Sequence, residues 1–356
     1  MAKKVLIVDD SALVRKQLTE LISTLDMDID TAKNGQEAVD KATATQYDVI
    51  TMDINMPIMD GIEAVRQIMD EKPTAILMVS SLTTENASIT MDALDLGAID
   101  YISKPGTMNI GKAENSEDIL TKVKSLSRIP KRRLARLKVK PAQRERRVRP
   151  QRVKEEVVEN TADSRDIEKV VLIGSSTGGP GLIEQICASL PHNYKYPVCI
   201  VQHMPAQFTA AFATRLNRAS SLNVQESAQN MELIPGNIYV ARGGVHMNFT
   251  KKTSGKIVIR EDKDKGSQFF QPSVNEMMKS ALKIFDGKDI IGVLLTGIGD
   301  DGADGMVALK EAGAYTLGES EESATVYGMP KEAYDRGGVS EQLDFMSILK
   351  KIATLK

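Results

Sequence analysis

A serine, a histidine and an aspartate each follow an apolar run in the second half of the chain. Ser176 lies in VVLIGSSTGGP (170–180), His203 follows PVCIVQ 27 residues later, and Asp301 lies in LTGIGDDG after a further apolar run. A serine becomes nucleophilic when a base removes its proton, and the base needs an orienting acid. Each residue alone would be a plain turn serine, core histidine or capping aspartate, but together they predict a hydrolase site.

The surroundings of Ser176 agree with this prediction. GSSTG fits the pattern G-x-S-x-G between a strand and a helix. Gly178 and Gly179 would free backbone N–H groups at a helix N-terminus, where they can stabilise an oxyanion. Ser175 also precedes this turn, but Ser176 is the central serine of the pattern. The order serine, histidine, aspartate differs from the serine, acid, histidine order of α/β-hydrolases.

GIGDDG (297–302) also fits the dinucleotide-binding pattern G-x-G-x-x-G, with Glu319 about the right distance further on. Two aspartates in the pattern, Asp300 and Asp301, argue against this alternative. Their negative charges would repel the pyrophosphate of a dinucleotide at a helix N-terminus, which normally attracts that group.

A second set of polar residues follows apolar runs in the first half of the chain. Asp9 and Asp10 follow VLIV, and Asp53 follows VITM; Ser80 and Lys104 come after two further runs. Clustered carboxylates and a carbonyl form the hard-oxygen site that Mg²⁺ prefers. Asp53 could then attack phosphorus as a carboxylate nucleophile, while Lys104 neutralises the phosphoryl oxygens and the Ser80 hydroxyl donates to one of them. Solvated loop acids are the alternative for any one of these residues.

The elements that must position both sets alternate between strands and helices. This alternation over 3–105 predicts a doubly wound parallel sheet with helices on both faces, and functional groups collect at the carboxyl ends of strands in such sheets. The pattern after the linker predicts a second, Rossmann-like α/β domain. An antiparallel insertion is expected around 237–261, with a hairpin at Gly243-Gly244. We expect domains at 1–122 and 166–356, joined by a linker at 123–165.

The linker is strongly basic. Residues 122–154 contain fifteen Lys or Arg and one acid, so the rest of the chain holds 31 basic residues (46 − 15) and 47 acidic residues (48 − 1). We interpret about 125–165 as an extended, solvated connector. Its charge allows a nucleic-acid-binding regulator as an alternative. The second domain shows no helix-turn-helix pattern and is itself acidic, which argues against nucleic acid as a partner.

Length and composition are ordinary for a globular protein. The chain has 356 residues, of which 42% are hydrophobic and 26% charged, which suits two or three domains. Neither a signal-peptide core nor a membrane-spanning run occurs, so we expect a cytoplasmic protein without membrane insertion. Two cysteines without CxxC spacing and three histidines indicate buried thiols and argue against a zinc site.

The first half resembles the receiver domain of bacterial response regulators. The resemblance covers about 1–120 and rests on DD (9–10), DINMPIMDG (53–61), VSS (79–81) and YISKP (101–105). It implies a flavodoxin-like fold and phosphorylation of Asp53 by a histidine kinase. It also implies Mg²⁺ held by Asp10, Asp53 and the backbone carbonyl of Asn55. Ser80 and Tyr101 would be coupled switch residues, and Lys104–Pro105 is a candidate cis peptide.

The second half resembles the protein-glutamate methylesterases of bacterial chemotaxis, the CheB family. The matching segments are IGSSTGGP (173–180), VQHMPAQFT (201–209), GGVHM (243–247), PSVN (272–275), LTGIGDDGADG (295–305) and VYGMP (326–330). The resemblance implies hydrolysis of glutamyl methyl esters on methyl-accepting chemotaxis receptors, and deamidation of receptor glutamines. It gives Ser176 as nucleophile, His203 as base and Asp301 as its partner, with Thr177 and the backbone amide of Ile298 at the oxyanion. No cofactor is implied for the esterase.

The chain departs from the family at Ile298, where methionine is usual, and at Ser175 and Asp300, where alanine is common. A backbone amide survives a change of side chain, so we still expect activity. Phosphorylation of Asp53 would recruit Ser80 and Lys104 and reposition the surface around Tyr101. If that surface covers Ser176, phosphorylation opens the esterase. A catalytically silent adaptor that retains the motifs is a further alternative.

Overall fold

The computed structural model describes residues 2–81, 83–104, 112–137, 163–266 and 268–355. The chain divides into two compact units, Met1–Arg149 and Pro150–Lys356, which we describe separately. Among the described residues, no helix combines the length and the apolar character needed to cross a membrane.

The first unit is a five-stranded parallel sheet with the strand order β2-β1-β3-β4-β5. Its strands are β1 (Lys3–Val8), β2 (Met27–Ala32), β3 (Val49–Asp53), β4 (Ala75–Ser80) and β5 (Asp100–Ser103). Its helices are α1 (Ala12–Ile22), α2 (Gly35–Ala44), α3 (Gly61–Glu71), α4 (Thr84–Asp95), α5 (Lys112–Leu126) and α6 (Lys131–Leu137). The flavodoxin-like prediction is confirmed by this strand order.

Apolar runs explain the central strands of this sheet. Every residue of β3 and β4 is buried, as expected for parallel strands that helices cover on both faces. Polar N-caps begin the helices that follow β2 and β3: Asn34 Oδ1 accepts the N–H of Glu37 at 2.9 Å, and Asp60 Oδ1 accepts the N–H of Glu63 at 2.8 Å. The order reverses between β1 and β3, so a functional site is expected beyond the carboxyl ends of these two strands.

Two helices lie at the start of the segment that we expected to be an extended linker. Helix α5 ends at Leu126, four residues beyond the expected boundary at 122, and α6 follows directly. Leu126 and Leu134 are buried in the hydrophobic core of the first unit. The reason for the difference is that apolar residues spaced among the basic ones can pack onto this core. The remaining linker residues, 138–162, lie outside the described part of the chain.

The second unit is a seven-stranded parallel sheet with the strand order β14-β13-β12-β6-β7-β9-β8. Its strands are β6 (Val170–Ser175), β7 (Val198–Gln202), β8 (Asn223–Glu226), β9 (Asn237–Val240), β12 (Ile290–Leu294), β13 (Tyr315–Glu319) and β14 (Glu341–Leu343). Its helices are α7 (Pro180–Ser189), α8 (Ala206–Ala219), α9 (Val274–Ala281), α10 (Ala303–Glu311), α11 (Met329–Asp335) and α12 (Phe345–Ala353). Short 3₁₀ turns lie at Ser23–Leu25, Ser164–Asp166 and Gly287–Asp289.

An antiparallel pair, β10 (His246–Lys251) and β11 (Ile257–Asp262), interrupts the parallel order. The predicted insertion is therefore confirmed, but the predicted limits of 237–261 are wrong, because β9 belongs to the parallel sheet. Gly243-Gly244 connects β9 to β10, and the hairpin turn lies at Gly255, which has a φ of +87°. A glycine adopts this left-handed conformation at little cost.

The order of the second sheet reverses between β6 and β12. Crevices at such a point are the usual ligand sites of open α/β sheets. The residues of interest follow from this order, because Ser176 lies directly after β6, His203 directly after β7, and Asp301 in the loop after β12. The topology thus brings three separate chain segments to one edge of the sheet.

Candidate functional site

The backbone around Ser176 is fixed on several sides. Its N–H donates to the carbonyl oxygen of Thr296 at 3.0 Å, and its own carbonyl oxygen accepts the N–H of Gly179 at 2.8 Å. A Cβ atom on Gly297 would lie 2.9 Å from the Cβ of Ser176, so only a glycine allows the loop after β12 to approach this closely. The side chain of Ser176 is therefore held at the junction of β6 and β12.

Ser175 and Ser176 have different surroundings. The Ser175 hydroxyl is fully buried and donates to Gln202 Oε1 at 2.6 Å. Gln202 Nε2 in turn donates to the carbonyl oxygens of Ser176 at 3.0 Å and His203 at 3.2 Å. A hydroxyl that is committed to a buried amide is poorly suited to attack a substrate. The arrangement favours Ser176 over Ser175 as the nucleophile.

Gln202 also links the predicted nucleophile to the predicted base. The two carbonyl oxygens that it binds belong to residues on neighbouring strand ends, and the His203 N–H donates to the Ser175 carbonyl oxygen at 3.1 Å. The ends of β6 and β7 are thus joined through both backbone and side chain. Sequence reasoning missed Gln202, although VQHMP contains it directly before His203.

The structure brings His203 and Asp301 together. His203 Nε2 lies 2.8 Å from Asp301 Oδ2, and only 5% of the histidine side chain is exposed. An ionised carboxylate can only accept a hydrogen bond, so the neutral ring carries its hydrogen on Nε2 and a lone pair on Nδ1. Nδ1 is buried and has no hydrogen-bond partner in the described part of the chain. A hydrogen bond between His203 and Ser176 is therefore not formed in this structure.

Asp301 is held by the first turn of α9. Its Oδ1 accepts the Ser273 hydroxyl at 2.8 Å and the Asn275 N–H at 3.0 Å, and its Oδ2 accepts the Val274 N–H at 2.7 Å. Burial alone would raise the pKa of Asp301, but the hydrogen bonds from His203 and these backbone groups hold that pKa below its ordinary value. Asp301 therefore stays ionised and can orient the imidazole.

Ser273 contacts Asp301 and is a second site residue that sequence reasoning missed. It is the N-cap of α9 and accepts the N–H of Glu276 at 3.3 Å while donating to Asp301. A serine followed three residues later by a glutamate is a helix-start signal, and SVNE (273–276) shows it. The capping pattern could have located the helix, but its contact with Asp301 depends on the fold.

The two predicted oxyanion residues lie in the loops on either side of Ser176. Thr177 is buried, and its carbonyl oxygen accepts the Thr296 hydroxyl at 2.9 Å. Ile298 follows Gly297, the residue that contacts Ser176. Gly297 is itself fixed, since its N–H donates to Val326 and its carbonyl oxygen accepts from Met329. Thr177 follows Ser176 directly in the chain, and Ile298 follows the glycine that approaches Ser176 from the loop after β12, so both positions suit the predicted role.

An aromatic ring that sequence reasoning missed covers the imidazole of His203. The Phe270 ring stacks on it with the ring centroids 3.9 Å apart and 14° between the planes. Phe269 packs edge-on against Phe270, with centroids 4.9 Å apart. No local sequence signal indicates this contact, because it joins the segment after β11 to the end of β7.

The residues of the dinucleotide alternative have other partners. The fully buried Glu319 accepts the Thr296 N–H at 2.8 Å and the Ser323 hydroxyl at 2.9 Å. Asp300 is exposed and forms a salt bridge with Arg336 at 2.7 Å. Glu319 therefore supports the loop beside Ser176, and its carboxylate is engaged on both oxygens.

The receiver unit contains an acidic cluster at the carboxyl ends of β1 and β3. Carboxylate oxygens of Asp9, Asp10 and Asp53 all lie within 4.8 Å of one another. Lys104 Nζ lies 2.9 Å from Asp53 Oδ2 and 3.1 Å from Asp9 Oδ2. This set of hard oxygen donors fits Mg²⁺. Asp9 was not among the predicted ligands, although it directly precedes Asp10.

Burial has the largest effect on the pKa of Asp53. Desolvation raises its pKa to about 6, although the hydrogen bond from Lys104 lowers it, and the neighbouring Asp9 raises it further. Asp53 Oδ1 accepts the N–H of Ile54 at 2.8 Å. The carboxyl group is thus held in one orientation, and its burial makes ionisation costly.

The other predicted receiver residues lie on the neighbouring strands. Ser80 is buried at the end of β4 and donates to the Ser81 carbonyl oxygen at 3.1 Å. Tyr101 is buried in β5, where burial raises the pKa of its hydroxyl. Lys122 Nζ donates to the Tyr101 carbonyl oxygen at 2.9 Å. Asn55 is exposed, and its amide lies 3.5 Å from Asn86 Oδ1. Pro105, of the expected cis peptide, lies outside the described residues.

Comparisons with known proteins agree with the two units. The family model for the CheB methylesterase matches residues 171–352, and that for the response regulator receiver domain matches residues 5–123. The catalytic domain of the Thermotoga maritima CheB methylesterase has a solved crystal structure that is 36% identical. It covers 53% of this chain and 98% of its own, with a TM-score of 0.51.

Two relatives align with nearly the whole length of this chain. A protein-glutamate methylesterase/protein-glutamine glutaminase 2 of Carboxydothermus hydrogenoformans is 45% identical over 99% of this chain and 98% of its own. A protein of the same name, without the number, from Caldanaerobacter subterraneus subsp. tengcongensis is 42% identical over 94% of this chain and 91% of its own. The chain belongs to the CheB methylesterase family and carries a response regulator receiver domain.

Proposed function

We propose that this protein is a phosphorylation-activated esterase that hydrolyses glutamyl methyl esters on methyl-accepting chemotaxis receptors to glutamate and methanol. The contact between His203 Nε2 and Asp301 Oδ2 is the observation that carries this proposal, because it orients a base that directly follows β7, the strand paired with the one that ends before Ser176. The named relatives support the substrate class and add glutamine deamidation as a second activity.

The reaction uses Ser176 as nucleophile and His203 as base. As the Ser176 oxygen bonds to the ester carbon, its proton moves to His203 Nδ1, and Asp301 stabilises the resulting imidazolium. Backbone N–H groups at Thr177 and Ile298 stabilise the oxyanion. The proton then passes to the departing methoxide, which leaves as methanol. Water, deprotonated by His203, cleaves the acyl-enzyme to release glutamate and restore Ser176.

Glutamine deamidation follows the same steps with a different leaving group. His203 donates its proton to the departing nitrogen, which leaves as ammonia, and the same acyl-enzyme is hydrolysed to glutamate. The esterase needs no cofactor in this scheme, since base, orienting acid and oxyanion donors all come from the chain.

The receiver unit acts as the switch of this enzyme. Mg²⁺ would be held by Asp10, Asp53 and the carbonyl oxygen of Asn55, with Asp9 beside them, and it would neutralise phosphoryl oxygens during transfer from a histidine kinase. Asp53 receives the phosphoryl group, and Lys104 and Ser80 bind its oxygens. Ser80 and Tyr101 act as coupled switch residues. The acidic cluster and its salt bridges to Lys104 support these roles.

Methanol release from methylated receptor membranes tests the proposed activity. The full-length protein with Mg²⁺ and acetyl phosphate should release methanol, and Ser176→Ala should not. Equal release by the two proteins would refute the esterase, and a silent adaptor would then explain the retained motifs.

A further inference from the structure

Phe269 and Phe270, the aromatic pair, connect the predicted base to the protein surface. Phe270 stacks face to face on the His203 ring, and Phe269 meets the edge of Phe270. Phe269 is 50% exposed, whereas Phe270 is half-buried. One end of the pair therefore contacts the catalytic machinery, and the other end contacts solvent.

Stacking on Phe270 restricts a motion of the His203 ring that the hydrogen bond to Asp301 leaves free. The bond to Asp301 fixes Nε2, but a ring held at one atom can still tilt about that bond. A parallel ring 3.9 Å away blocks this tilt and covers one face of the imidazole. An aromatic face also attracts a cation, so it favours the imidazolium that forms when His203 accepts the serine proton. Phe270 thus suits a positioning role.

Half of the Phe269 surface stays exposed to solvent although one edge of the ring packs on Phe270. An aromatic ring gains free energy by burial, and aromatic residues dominate the energetics of protein interfaces. Lys265 Nζ lies 5.8 Å from the centroid of the Phe269 ring, so the exposed end of the pair also carries a positive charge. A partner with both apolar surface and carboxylates would complement this end.

We propose that Phe269 is a recognition residue that contacts the receptor segment bearing the scissile ester, and that Phe270 is a positioning residue that holds the His203 ring. The inference rests on the proposed function. A receptor segment fits the charge as well as the position, because its unmethylated sites are glutamates that Lys265 attracts. The contact lies one aromatic ring away from His203, where the ester must be presented.

Two substrates separate recognition from catalysis. The full-length protein, with Mg²⁺ and acetyl phosphate, is assayed by methanol release on methylated receptor membranes and on a short soluble peptide bearing one glutamyl methyl ester. Phe269→Ala should lower kcat/KM on membranes about tenfold, through KM, because truncation of an interface aromatic removes contact area. The rate on the peptide should stay within about twofold of the wild-type rate.

Variants at Phe270 should act on kcat instead. Phe270→Leu keeps apolar volume but loses the stacking face, so kcat should fall about tenfold on both substrates. Phe270→Tyr keeps the ring and should retain kcat within about threefold. A lower kcat for Phe270→Leu than for Phe270→Tyr would show that ring stacking, and not apolar packing alone, supports catalysis.

Tyr334→Ala is the matched control, because Tyr334 is an aromatic residue of the same unit that is 52% exposed. It should leave both rates unchanged. The proposal is overturned if Phe269→Ala matches wild type on membranes, if it loses both substrates equally, or if Tyr334→Ala shows the same loss. Equal kcat values for Phe270→Leu and wild type would remove the positioning role. Failure of the proposed function would look different, since wild type would then release no more methanol than Ser176→Ala.

Discussion

Asp301 joins the imidazole of His203 to the N-terminus of a helix. Its Oδ2 lies 2.8 Å from His203 Nε2 and also accepts the Val274 N–H at 2.7 Å, at the first position of α9. In the familiar serine protease triad, the acid binds Nδ1 and the serine binds Nε2. Here the acid binds Nε2, which leaves Nδ1 as the basic nitrogen for Ser176.

Asp301→Asn should lower kcat by roughly 10³- to 10⁴-fold with little change in KM. An asparagine amide has only one acceptor oxygen, so it cannot replace both carboxylate oxygens, and its NH₂ group would disfavour the ring tautomer that leaves Nδ1 basic. Methanol release at several receptor concentrations gives both constants. Asp300→Asn is the control, because the neighbouring side chain is 64% exposed and pairs with Arg336 instead. Equal losses in the two variants would contradict the assignment of Asp301.

Gln202→Leu should lower kcat about 100-fold, because a displacement of about 1 Å between nucleophile and base has an effect of this size. It also leaves the Ser176 and His203 carbonyl oxygens without their side-chain donor, each at a cost of about 1–3 kcal/mol of unfolding free energy if no water replaces it. Ser175→Ala keeps both of these bonds and should retain at least about a third of kcat. The reverse order of severity would show that Ser175 is the nucleophile.

Asp53 should make the receiver unit less stable as the pH rises from about 4 to about 6. Its pKa is raised to about 6 by burial, so the folded chain binds its proton more tightly than the unfolded chain, where the ordinary value is 3.8. The stabilisation from this proton is complete below the unfolded pKa and is lost as the pH passes the folded pKa. Asp53→Asn lacks this titration.

Calorimetry of the full-length protein without Mg²⁺ tests this titration. The receiver transition of Asp53→Asn should lie above that of wild type at pH 7, and the difference should shrink towards pH 4. Adding Mg²⁺ at pH 7 should raise the wild-type transition more than that of the variant, since the variant has one ligand fewer. A constant difference at all pH values would show that Asp53 does not titrate in this range.

Phosphorylation should raise the esterase rate through Asp53 alone. Acetyl phosphate with Mg²⁺ should increase methanol release by wild type and leave Asp53→Ala unchanged, because the variant has no carboxylate to accept the phosphoryl group. Identical rates for both proteins, with and without acetyl phosphate, would show that phosphorylation of Asp53 does not control the esterase.

The sequence predicts the two central sheets well because their strands are continuous apolar runs. It misses β8, β13 and β14, which lie at or near the edges of the second sheet and whose polar residues interrupt any apolar run. The limits of the antiparallel insertion were wrong because β9 pairs with β7, a long-range choice that local composition does not encode. The helix α6 was missed because its basic residues mask a buried Leu134.

The residues of the candidate site were likewise predicted only in part. Residue type and strand-end position were enough to select Ser176, His203 and Asp301. Gln202, Ser273 and Phe270 were not selected, because their importance lies in tertiary contacts with those three residues. An amide, a hydroxyl and an aromatic ring are too common in sequences to attract notice before the fold brings them together.

Methanol release from methylated receptor membranes by wild type, Ser176→Ala and Ser175→Ala decides whether Ser176 is the nucleophile of an esterase. With Mg²⁺ and acetyl phosphate present, wild type and Ser175→Ala should both release methanol, and Ser176→Ala should release none above the enzyme-free background. Release by Ser176→Ala at the wild-type rate would show that Ser176 is not the nucleophile, because the ester would then be cleaved without it.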